Sequence, residues 1–424
     1  MSRAPRILYV TVDGILEAIG FSQVARVVEG LSRRGWAYDI LSLEKAPDLE
    51  RTGRVREVEQ RLARAGVTWH RSPYDWSRSG GAAVKNLGTL ARQAVRLAMR
   101  GRVRAIHARA YHGAFAGLAA WTAAGLPYVF DARSYWIDEK LEEGRWFTTP
   151  VRLGLARGLE HQLFARAAGV VTLTELQASD VRAGRFGANG DRPVVCVPTT
   201  ADYEDFRRRP PAELTRVPAG VRARLAGKLV LAVIGSINRS YLVDETLDLA
   251  RRVMARRPDA HLLILSGQQQ EYEDRLVAIG VDTARVTQAK ADHDAMPQWM
   301  SLLDWCLLLL NPASPAKRAS VPTKLAELFA SGVRPAQFGC NAEVSEWVRR
   351  AGSGFVLPSV EAGALEDAAR RIAEWQGDAA SLARAREITA AHFSLQTGLE
   401  RYDGLWRRVL GEADRPSTGC FRSR

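Results

Sequence analysis

Short apolar runs alternate with longer amphipathic segments along the first half of the chain. The runs have the length of buried strands, whereas apolar residues in the longer segments recur every three or four positions, as in helices. The strand-like runs are RILYVTV (6–12), AYDILSLE (37–44), AIHA (105–108), LPYVFDAR (126–133), VVTLTE (170–175) and PVVCVPT (193–199). The helix-like segments are 21–35, 56–66, 84–104, 113–124 and 158–169. This alternation predicts an α/β architecture with a parallel, doubly wound sheet.

The same alternation restarts after a polar, proline-containing segment, with strand-like runs at 229–236, 260–267 and 305–311. We therefore predict two doubly wound, Rossmann-like domains that face a central cleft. Their predicted bounds are 1–205 and 227–395, joined by a linker at 206–226. The last helix, 396–412, is expected to pack back on the first domain, and the tail 413–424 is expected to be disordered.

Composition agrees with a globular protein of two domains. A chain of 424 residues with 46% hydrophobic and 25% charged residues is too long for one ordinary core. The net charge of +13 leaves two interpretations open: an arginine-rich surface, or contact with phosphates or anionic lipid. No nucleic acid is expected as a partner, because no recognition motif accompanies the charge. The four cysteines form no CxxC pair, which argues against a zinc ribbon or a disulfide framework and fits a cytoplasmic location.

One uncharged stretch, Gly113 to Phe130, approaches the length of a membrane span. However, Gly-Leu-Pro interrupts it at 125–127, and it is rich in alanine and glycine. We interpret it as a helix, a turn and a buried strand rather than as a transmembrane segment.

The segment VPTKLAELFASG (321–332) reads as a short helix that opens on Pro322 and stops at Gly332. Cationic residues surround its start, including Lys317 and Lys324. A helix N-terminus already carries partial positive charge and favours anions. We therefore expect an anionic ligand, most simply a phosphate, to bind at the start of this helix.

Two further features of this helix concern its cap and its polar face. Ser320 is the expected N-cap. Thr323 and Glu327 are four residues apart, which places them together on the face opposite the apolar residues. From one turn deeper, Glu327 could accept hydrogen bonds from a sugar hydroxyl beyond the phosphate. The alternative is an ordinary solvated glutamate on a surface helix.

Loops after two strands offer further phosphate-binding candidates. Gly235 and Ser236 follow a buried strand, where a glycine lets a ligand approach the backbone, and Arg239 follows within reach. Together with Lys317 and the helix start they indicate one pyrophosphate site, although Arg239 alone would suit a solvated loop.

A weaker candidate comes after the first strand. Gly20 and Ser22 precede a predicted helix and suggest a second phosphate-facing loop, although the segment does not match GxGxxG.

Charged residues also adjoin the apolar strands of the first half. Asp131, Arg133 and Glu139 follow one such strand, and charges placed there are costly unless they are paired or functional. An ion pair between Asp131 and either Arg133 or Arg109 that merely shapes the cleft is the alternative. His107 is expected to be structural. The sequence ADHDA (291–295) lacks a partner cluster, so no metal site is predicted.

Taken together, these motifs resemble those of the family 4 glycosyltransferases. The likeness covers nearly the whole chain, and FDARSYWIDEKLEEGRW (130–146) is similar to the D-x-R-G-x-W-x-x-E segment of a bacterial branch. The segments VVTLTE, VPTTADYEDF and GSINRSY are also similar to that branch, and SVPTKLAELFASG is similar to its nucleotide-diphosphate helix. The resemblance implies a GT-B fold and retaining transfer of a hexosyl group from a nucleotide-diphosphate sugar to a hydroxyl acceptor, without a metal or other cofactor.

The resemblance also implies roles for residues. Glu327 matches the second acid of the E-x7-E element and would bind the donor ribose, and Arg133 lies where many relatives place a histidine near the reacting sugar. The loop at Gly20 to Ser22 would close over the diphosphate. The donor-binding set expected from pattern and resemblance is Gly20, Ser22, Gly235, Ser236, Arg239, Lys317, Ser320, Pro322, Thr323, Lys324 and Glu327. The expected catalytic set is Arg133, Asp131 and Arg109.

The chain departs from the family pattern at three positions. Ala319 stands where the first acid of E-x7-E would be, and Ser134 stands where the D-x-R-G segment has its glycine. Of the Arg-x5-Lys pair common in the wider family, only Arg239 is present as a candidate. These departures leave the sugar identity open.

Three functions remain in competition on the sequence alone. The first is a glycosyltransferase that builds a polysaccharide, a glycolipid or a decorated metabolite, in which the departing phosphate takes the proton of the attacking hydroxyl. The second is a nucleotide-sugar epimerase or hydrolase on the same fold. The third is a catalytically degenerate partner protein that binds nucleotide-sugar, which the absent acid at 319 favours.

A basic helix at 85–104 adds a hypothesis about location. Arg92, Arg96 and Arg100 fall at four-residue spacing and hence on one face. Such a face suits peripheral contact with an anionic membrane and a lipid-linked acceptor, whereas the alternative is a solvated cationic face.

Overall fold

A computed structural model describes residues 6–77, 80–144, 146–147, 149–187, 191–312 and 319–411. The chain forms two compact units. The first unit comprises Met1–Pro198 with Gly398–Arg424, and the second comprises Thr199–Thr397. The division therefore falls after Pro198 rather than at 205.

The first unit is built on a seven-stranded sheet in the order β3-β2-β1-β4-β5-β6-β7, in which every strand pair is parallel. The strands are β1 (Arg6–Thr11), β2 (Ala37–Glu44), β3 (Thr68–Pro73), β4 (Val103–Arg109), β5 (Tyr128–Ala132), β6 (Gly169–Thr172) and β7 (Val194–Cys196). Parallel strands are buried on both faces, which explains their near-continuous apolar runs. Their carboxyl ends meet at one edge of the sheet, where ligands bind in doubly wound folds.

Helices connect these strands. They are α1 (Ala18–Gly20), a π-helical segment (Phe21–Ala25), α2 (Arg26–Arg33), α3 (Ala46–Leu49), α4 (Thr52–Arg64), α5 (Gly80–Met99), α6 (Ala110–Ala124), α7 (Trp136–Glu142), α8 (Pro150–Ala165) and α9 (Glu175–Arg182). The helix predicted at 84–104 ends at Met99, because Gly101 takes a φ of +72° and turns the chain into β4.

The uncharged stretch at 113–130 folds as predicted. It forms most of α6, a turn at Gly125 and the start of β5, in which Tyr128 and Val129 are fully buried. No helix among the described residues is both long and apolar enough to cross a membrane.

The second unit carries a six-stranded parallel sheet in the order β10-β9-β8-β11-β12-β13. The strands are β8 (Leu229–Ile234), β9 (Ala260–Leu265), β10 (Val286–Ala289), β11 (Trp305–Leu309), β12 (Arg334–Phe338) and β13 (Phe355–Val356). Its core packs the strand leucines, such as Leu231 and Leu262, against Leu247 and Ile372 of the covering helices. Both sheets thus confirm the predicted doubly wound α/β class.

The helices of the second unit follow. They are α10 (Ala219–Leu225), α11 (Val243–Arg256), α12 (Gln269–Ala278), α13 (Met296–Met300), α14 (Thr323–Ser331), α15 (Ala342–Ala351), α16 (Ala362–Ala373) and α17 (Ala379–Phe393). Short 3-10 turns occur at Pro211–Glu213, Thr283–Arg285 and His293–Ala295. The predicted linker at 206–226 thus contains one of these turns and α10, and the predicted disordered tail at 413–424 lies outside the described residues.

A last helix, α18 (Leu395–Leu410), starts in the second unit and packs within the first from Gly398 onward. Its side chain of Trp406 is fully buried, and the indole N–H of Trp36 donates to Asp403 at 2.8 Å. Leu399 fills the space beside Gly30 of α2, where a Cβ atom would overlap it.

The close approach of α6 to the sheet can be tested at Gly113. A Cβ atom there would lie 2.6 Å from the carbonyl oxygen of Val10 in β1, a rigid backbone atom. We expect Gly113→Ala to lower the free energy of unfolding by about 1–3 kcal/mol. At Gly88, an exposed position of helix α5, nothing lies within 4 Å of a Cβ atom. Gly88→Ala should therefore raise the same quantity by about 0.5–1 kcal/mol. Chemical denaturation of both variants checks this contrast, which equal effects would contradict.

Candidate functional site

In the second unit, the carboxyl end of β8 meets the start of α14. Gly235 follows β8 with a φ of +118°, a conformation that favours glycine. A Cβ atom there would lie 2.5 Å from the ammonium nitrogen of Lys324. That ammonium donates to the carbonyl of Ile234 and, at 3.0 Å, to the hydroxyl of Tyr241. The glycine therefore makes room for a cation held at the end of the strand.

Helix α14 begins at Thr323, and its N-cap residue, Pro322, makes no side-chain hydrogen bond to the first N–H groups. The prediction that Ser320 caps the helix is wrong, because the chain is still extended at Pro322 and the helix starts later. The carbonyl of Ser320 instead accepts from the amide of Asn341 at 2.8 Å. The helix stops at Gly332, which takes a φ of +68°, as predicted. Its N-terminus thus presents backbone donors beside Lys324, a combination suited to an anion.

Glu327 lies one turn into α14 and is only 7% exposed. The structure therefore rules out the solvated surface glutamate that the sequence allowed. No described residue forms a hydrogen bond or an ion pair with its carboxylate within the usual distances. Burial raises the pKa of Glu327 to about 7, although nearby Lys324 opposes the shift. A buried carboxyl without a partner is costly, so this one has capacity for hydrogen bonds from a ligand.

The remaining donor candidates lie around this helix start. Arg239 and Ser236 are exposed in the loop after β8, and the guanidinium of Arg239 has no ion pair with another described residue. Ala319, in place of the missing acid, is fully buried. Lys317 lies outside the described residues.

In the first unit, the carboxylate of Asp131 at the end of β5 is fully buried and surrounded by donors. The guanidinium of Arg133 lies 3.2 Å from it, that of Arg109 3.9 Å, and the imidazole of His107 3.5 Å. The hydroxyl of Tyr402 in α18 donates to it at 3.1 Å. The ion pairs that the sequence left as an alternative are therefore present.

The charges of this network fix its protonation. Burial alone would raise the pKa of Asp131, but Arg133, His107 and Arg109 outweigh it and hold that pKa well below its usual range. Burial lowers the pKa of His107, which is fully enclosed, in agreement with its expected structural role. Asp131 is thus an ionised group that orients its neighbours rather than one that reaches a ligand.

Arg133 retains some exposure, with 12% of its side chain accessible, and also donates to the carbonyl of Val197 at 3.4 Å. Arg109 is almost enclosed, and its Nε donates to Asp13 at 2.8 Å. Of the three predicted catalytic residues, Arg133 therefore has the most access to a ligand.

Gly20 and Ser22 are not in a loop. They lie within consecutive helical turns, Gly20 in α1 and Ser22 in the π-helical segment. A Cβ atom at Gly20 would overlap the carbonyl oxygen of Gly14. This glycine therefore permits two backbone segments to touch, and the prediction of a phosphate-facing loop at these positions is wrong.

Sequence reasoning missed two groups at this edge of the first sheet. Glu44, at the end of β2, is buried and accepts from the backbone N–H of Ile15 at 2.8 Å, which orders the loop after β1. The rings of Tyr9 and Trp406 lie 4.1 and 5.8 Å from that of His107. The sequence did contain a signal for Glu44, because a carboxylate at the end of an apolar strand is unusual. No local pattern could show that Tyr9 and Trp406, which are far apart in the chain, both pack against His107.

Residues 22–198 match the family model of the glycosyl transferase 4-like domain. No curated protein sequence matches the chain significantly.

Solved structures show the same fold at low identity. Sucrose-phosphate synthase from Thermosynechococcus elongatus is 15% identical with a TM-score of 0.69, covering 96% of this chain and 99% of its own. HepE from Anabaena, in complex with UDP-glucose, is 13% identical with a TM-score of 0.66, covering 94% and 98%. A UDP-N-acetylglucosamine 2-epimerase is 10% identical with a TM-score of 0.62, covering 98% and 99%. The chain therefore has the GT-B fold.

The raised pKa of Glu327 predicts a pH-dependent stability. Its carboxyl titrates at an ordinary value of 4.5 when unfolded and at about 7 when folded, so the folded protein loses stability as the pH rises between these values. We expect Glu327→Gln to match the parent below this window and to exceed it by roughly 3 kcal/mol above it. Urea denaturation across the pH range measures this difference. Glu346→Gln, at an exposed position of α15, should show none, and a constant offset at all pH values would contradict the assignment.

Proposed function

We propose that this protein is a glycosyltransferase that moves a sugar from a nucleotide-diphosphate sugar to a hydroxyl acceptor. The observation that carries the proposal is the buried Glu327, which has no partner among the described residues. It lies one turn below a helix start that has Pro322 as its N-cap and bears Lys324. This is the arrangement expected for an anionic diphosphate followed by a ribose. The match of residues 22–198 to a glycosyl transferase 4-like domain supports it. The UDP-glucose complex of HepE, which has the same fold, supports a nucleotide-sugar as the partner.

The donor is proposed to bind through the second unit. The backbone N–H groups at the start of α14, with Lys324, Arg239 and Lys317, hold the diphosphate, and Gly235 and Ser236 line its approach. The ionised carboxylate of Glu327 accepts hydrogen bonds from the ribose hydroxyls. The cations of the chain neutralise the diphosphate, so the proposed reaction needs no metal.

The chemistry is proposed to be a retaining hexosyl transfer. The bond from the anomeric carbon to the phosphate oxygen breaks, and the acceptor oxygen forms a new bond to the same face of the sugar. The acceptor proton passes to the departing phosphate oxygen. Lys324, Arg239 and the helix start stabilise the negative charge that develops on the diphosphate. Arg133 orients the sugar or the acceptor, and Asp131 and Arg109 position Arg133.

A second candidate function is nucleotide-sugar binding without turnover, in a protein that serves a partner enzyme. The specific observation in its favour is Ala319, a buried methyl group in place of an acid that would contact the donor. A panel of UDP-, GDP- and dTDP-sugars with purified protein separates the two. Transfer or slow donor hydrolysis, unaffected by EDTA, supports the transferase, whereas saturable binding with no turnover supports the second candidate.

We propose a cytoplasmic location, with peripheral contact at an anionic membrane through α5. The thiol of Cys306 is free and buried, which suits a reducing compartment. Arg92, Arg96 and Arg100 are all exposed, the first two on α5 and the third just beyond its end. None of the three forms an ion pair with a described residue.

The donor site predicts distinct effects for two residues. Arg239→Ala should weaken nucleotide-diphosphate binding by about 1.5–3 kcal/mol, as expected for a lost hydrogen bond to a charged group. Glu327→Ala should strongly impair donor use while the protein stays folded. In the parent protein, donor affinity should rise as the pH passes through about 7, because only the ionised carboxylate of Glu327 accepts from two hydroxyls.

Calorimetric titration with UDP, and with the sugar nucleotide found in the panel, measures these effects. Arg349→Ala is the control, since Arg349 is exposed on α15 and pairs with Glu346. Unchanged affinity in both site variants would refute the assignment of the donor site.

The membrane contact predicts co-flotation with anionic vesicles. At low salt the protein should float with vesicles that contain phosphatidylglycerol and remain behind with pure phosphatidylcholine, because exposed arginines attract anionic headgroups. The double variant Arg92→Glu, Arg96→Glu should float much less. Its control is Arg251→Glu, Arg275→Glu in the second unit. The membrane contact is refuted if the parent, the α5 variant and the control variant float equally, or if none of them floats.

A further inference from the structure

The first unit contains a pocket of about 440 Å³ bounded by α5, α6, α7 and α8. We call it the α5–α8 pocket. Its volume is within the range of small-molecule sites. Its walls are almost wholly apolar and include Val84, Leu87, Phe115, Trp136 and Leu159. A cavity of this kind favours a hydrocarbon or aromatic occupant over a polar one.

Several polar groups in or beside the wall are already engaged with one another. The hydroxyl of Tyr111 donates to the carboxylate of Glu160 at 2.5 Å, and the guanidinium of Arg157 donates to the same carboxylate at 2.7 Å. Lys140, at the edge, pairs with Glu143.

Two further polar side chains, His112 and Tyr74, also line the wall, and the ring of His112 packs edge-on against that of Trp136. A sugar ring needs donors and acceptors around it, whereas most of this wall is apolar. The pocket therefore suits an apolar group better than the sugar that the proposed reaction transfers.

The apolar surface continues from the pocket into solvent. Val84, in its wall, is 72% exposed, and Leu155, one turn before Leu159 on α8, is 71% exposed. Val151 precedes Leu155 by one further turn and is equally exposed. Single exposed apolar residues are common, but a group beside an apolar cavity marks an interaction surface.

Cationic side chains lie on the same two helices. Arg152 on α8 and Arg92 and Arg96 on α5 are exposed, and none forms an ion pair with a described residue. An apolar surface flanked by arginines complements an amphiphile with an anionic headgroup, or a bilayer that contains such lipids. Because these arginines favour an anionic group, an anionic amphiphile fits this surface better than a neutral aromatic compound does.

We propose that the α5–α8 pocket binds the hydrocarbon chain of a membrane-derived amphiphile that carries the acceptor hydroxyl. The chain occupies the space between Leu87, Phe115 and Leu159, while Arg152 and the arginines of α5 face the anionic headgroups. The inference rests on the proposed transferase function and assigns the acceptor to the lipid class. Its residues belong to the first unit, whereas the proposed donor residues belong to the second, so variants can test the two separately.

The test uses the full chain and lauroyl-lysophosphatidylglycerol below its micelle concentration, titrated by calorimetry. We expect saturable binding, and no binding of glycerophosphoglycerol, which has the headgroup without the chain. Ala156→Trp, which fills the pocket, should weaken binding roughly tenfold or more, since displacing about two methylene groups removes that much affinity. Val84→Glu should act in the same direction, and because Val84 is exposed this variant should fold normally.

The control is Val277→Glu, which changes an equally exposed valine (65%) in the second unit and should leave lipid binding unchanged. Three results overturn the proposal: no lipid binding to the parent protein, lipid binding that both pocket variants leave intact, and preferential binding of a phenyl glycoside, which would assign an aromatic acceptor. Titration with UDP in the same variants keeps the two proposals distinct. Lipid binding without nucleotide binding refutes the transferase, and nucleotide binding without lipid binding refutes the lipid site.

Discussion

The buried carboxylate of Asp131 organises the edge of the first sheet where its strands end. Burying an ionised carboxylate costs several kcal/mol, and only the cations and hydroxyl around it make the position tolerable. Arg109 comes from β4, Arg133 from the segment after β5 and Tyr402 from the last helix. One carboxylate thus fixes three elements that are far apart in the chain. Without it two nearly buried guanidinium groups would repel each other, so the orientation of Arg133 depends on this contact.

Glu327 is the counterpart of Asp131 in the second unit, and the comparison separates structural from binding carboxylates. Both are buried, but the pKa of Asp131 is held low by its partners, whereas that of Glu327 rises to about 7 in their absence. The hydrogen-bonding and charge requirements of a paired carboxylate are met by other residues of the protein. An unpaired one stores an unfavourable energy that hydrogen bonds from a ligand can relieve, and such perturbed groups concentrate at functional sites.

Local sequence signals were sufficient for most of the helices and strands and for the end of α14 at Gly332. Strand runs, helical periodicity and Gly332 act within a few residues, and the structure follows them. The N-cap of α14 was misplaced because the extended backbone continues to Pro322. Two other outcomes, at Gly20 and Glu327, depend on contacts that the local pattern does not show. Gly20 lies in a helical turn against the backbone of Gly14, and the turn of helix that holds Glu327 is covered by surrounding structure. That Asp131 also accepts a hydrogen bond from Tyr402 could not be predicted from the sequence, since Tyr402 lies 271 residues away.

The path of the chain has a consequence for biosynthesis. The first unit is discontinuous, because α18 joins it only after the whole second unit has been traversed. A nascent chain that has just completed β7 still lacks Trp406 to cover His107 and Tyr402 to bond Asp131. When the second unit is being synthesised, the first unit therefore still lacks the helix that covers part of its core. The core of the first unit is completed only after α18 has been synthesised. The unit that is synthesised first is therefore the one whose folding is completed last.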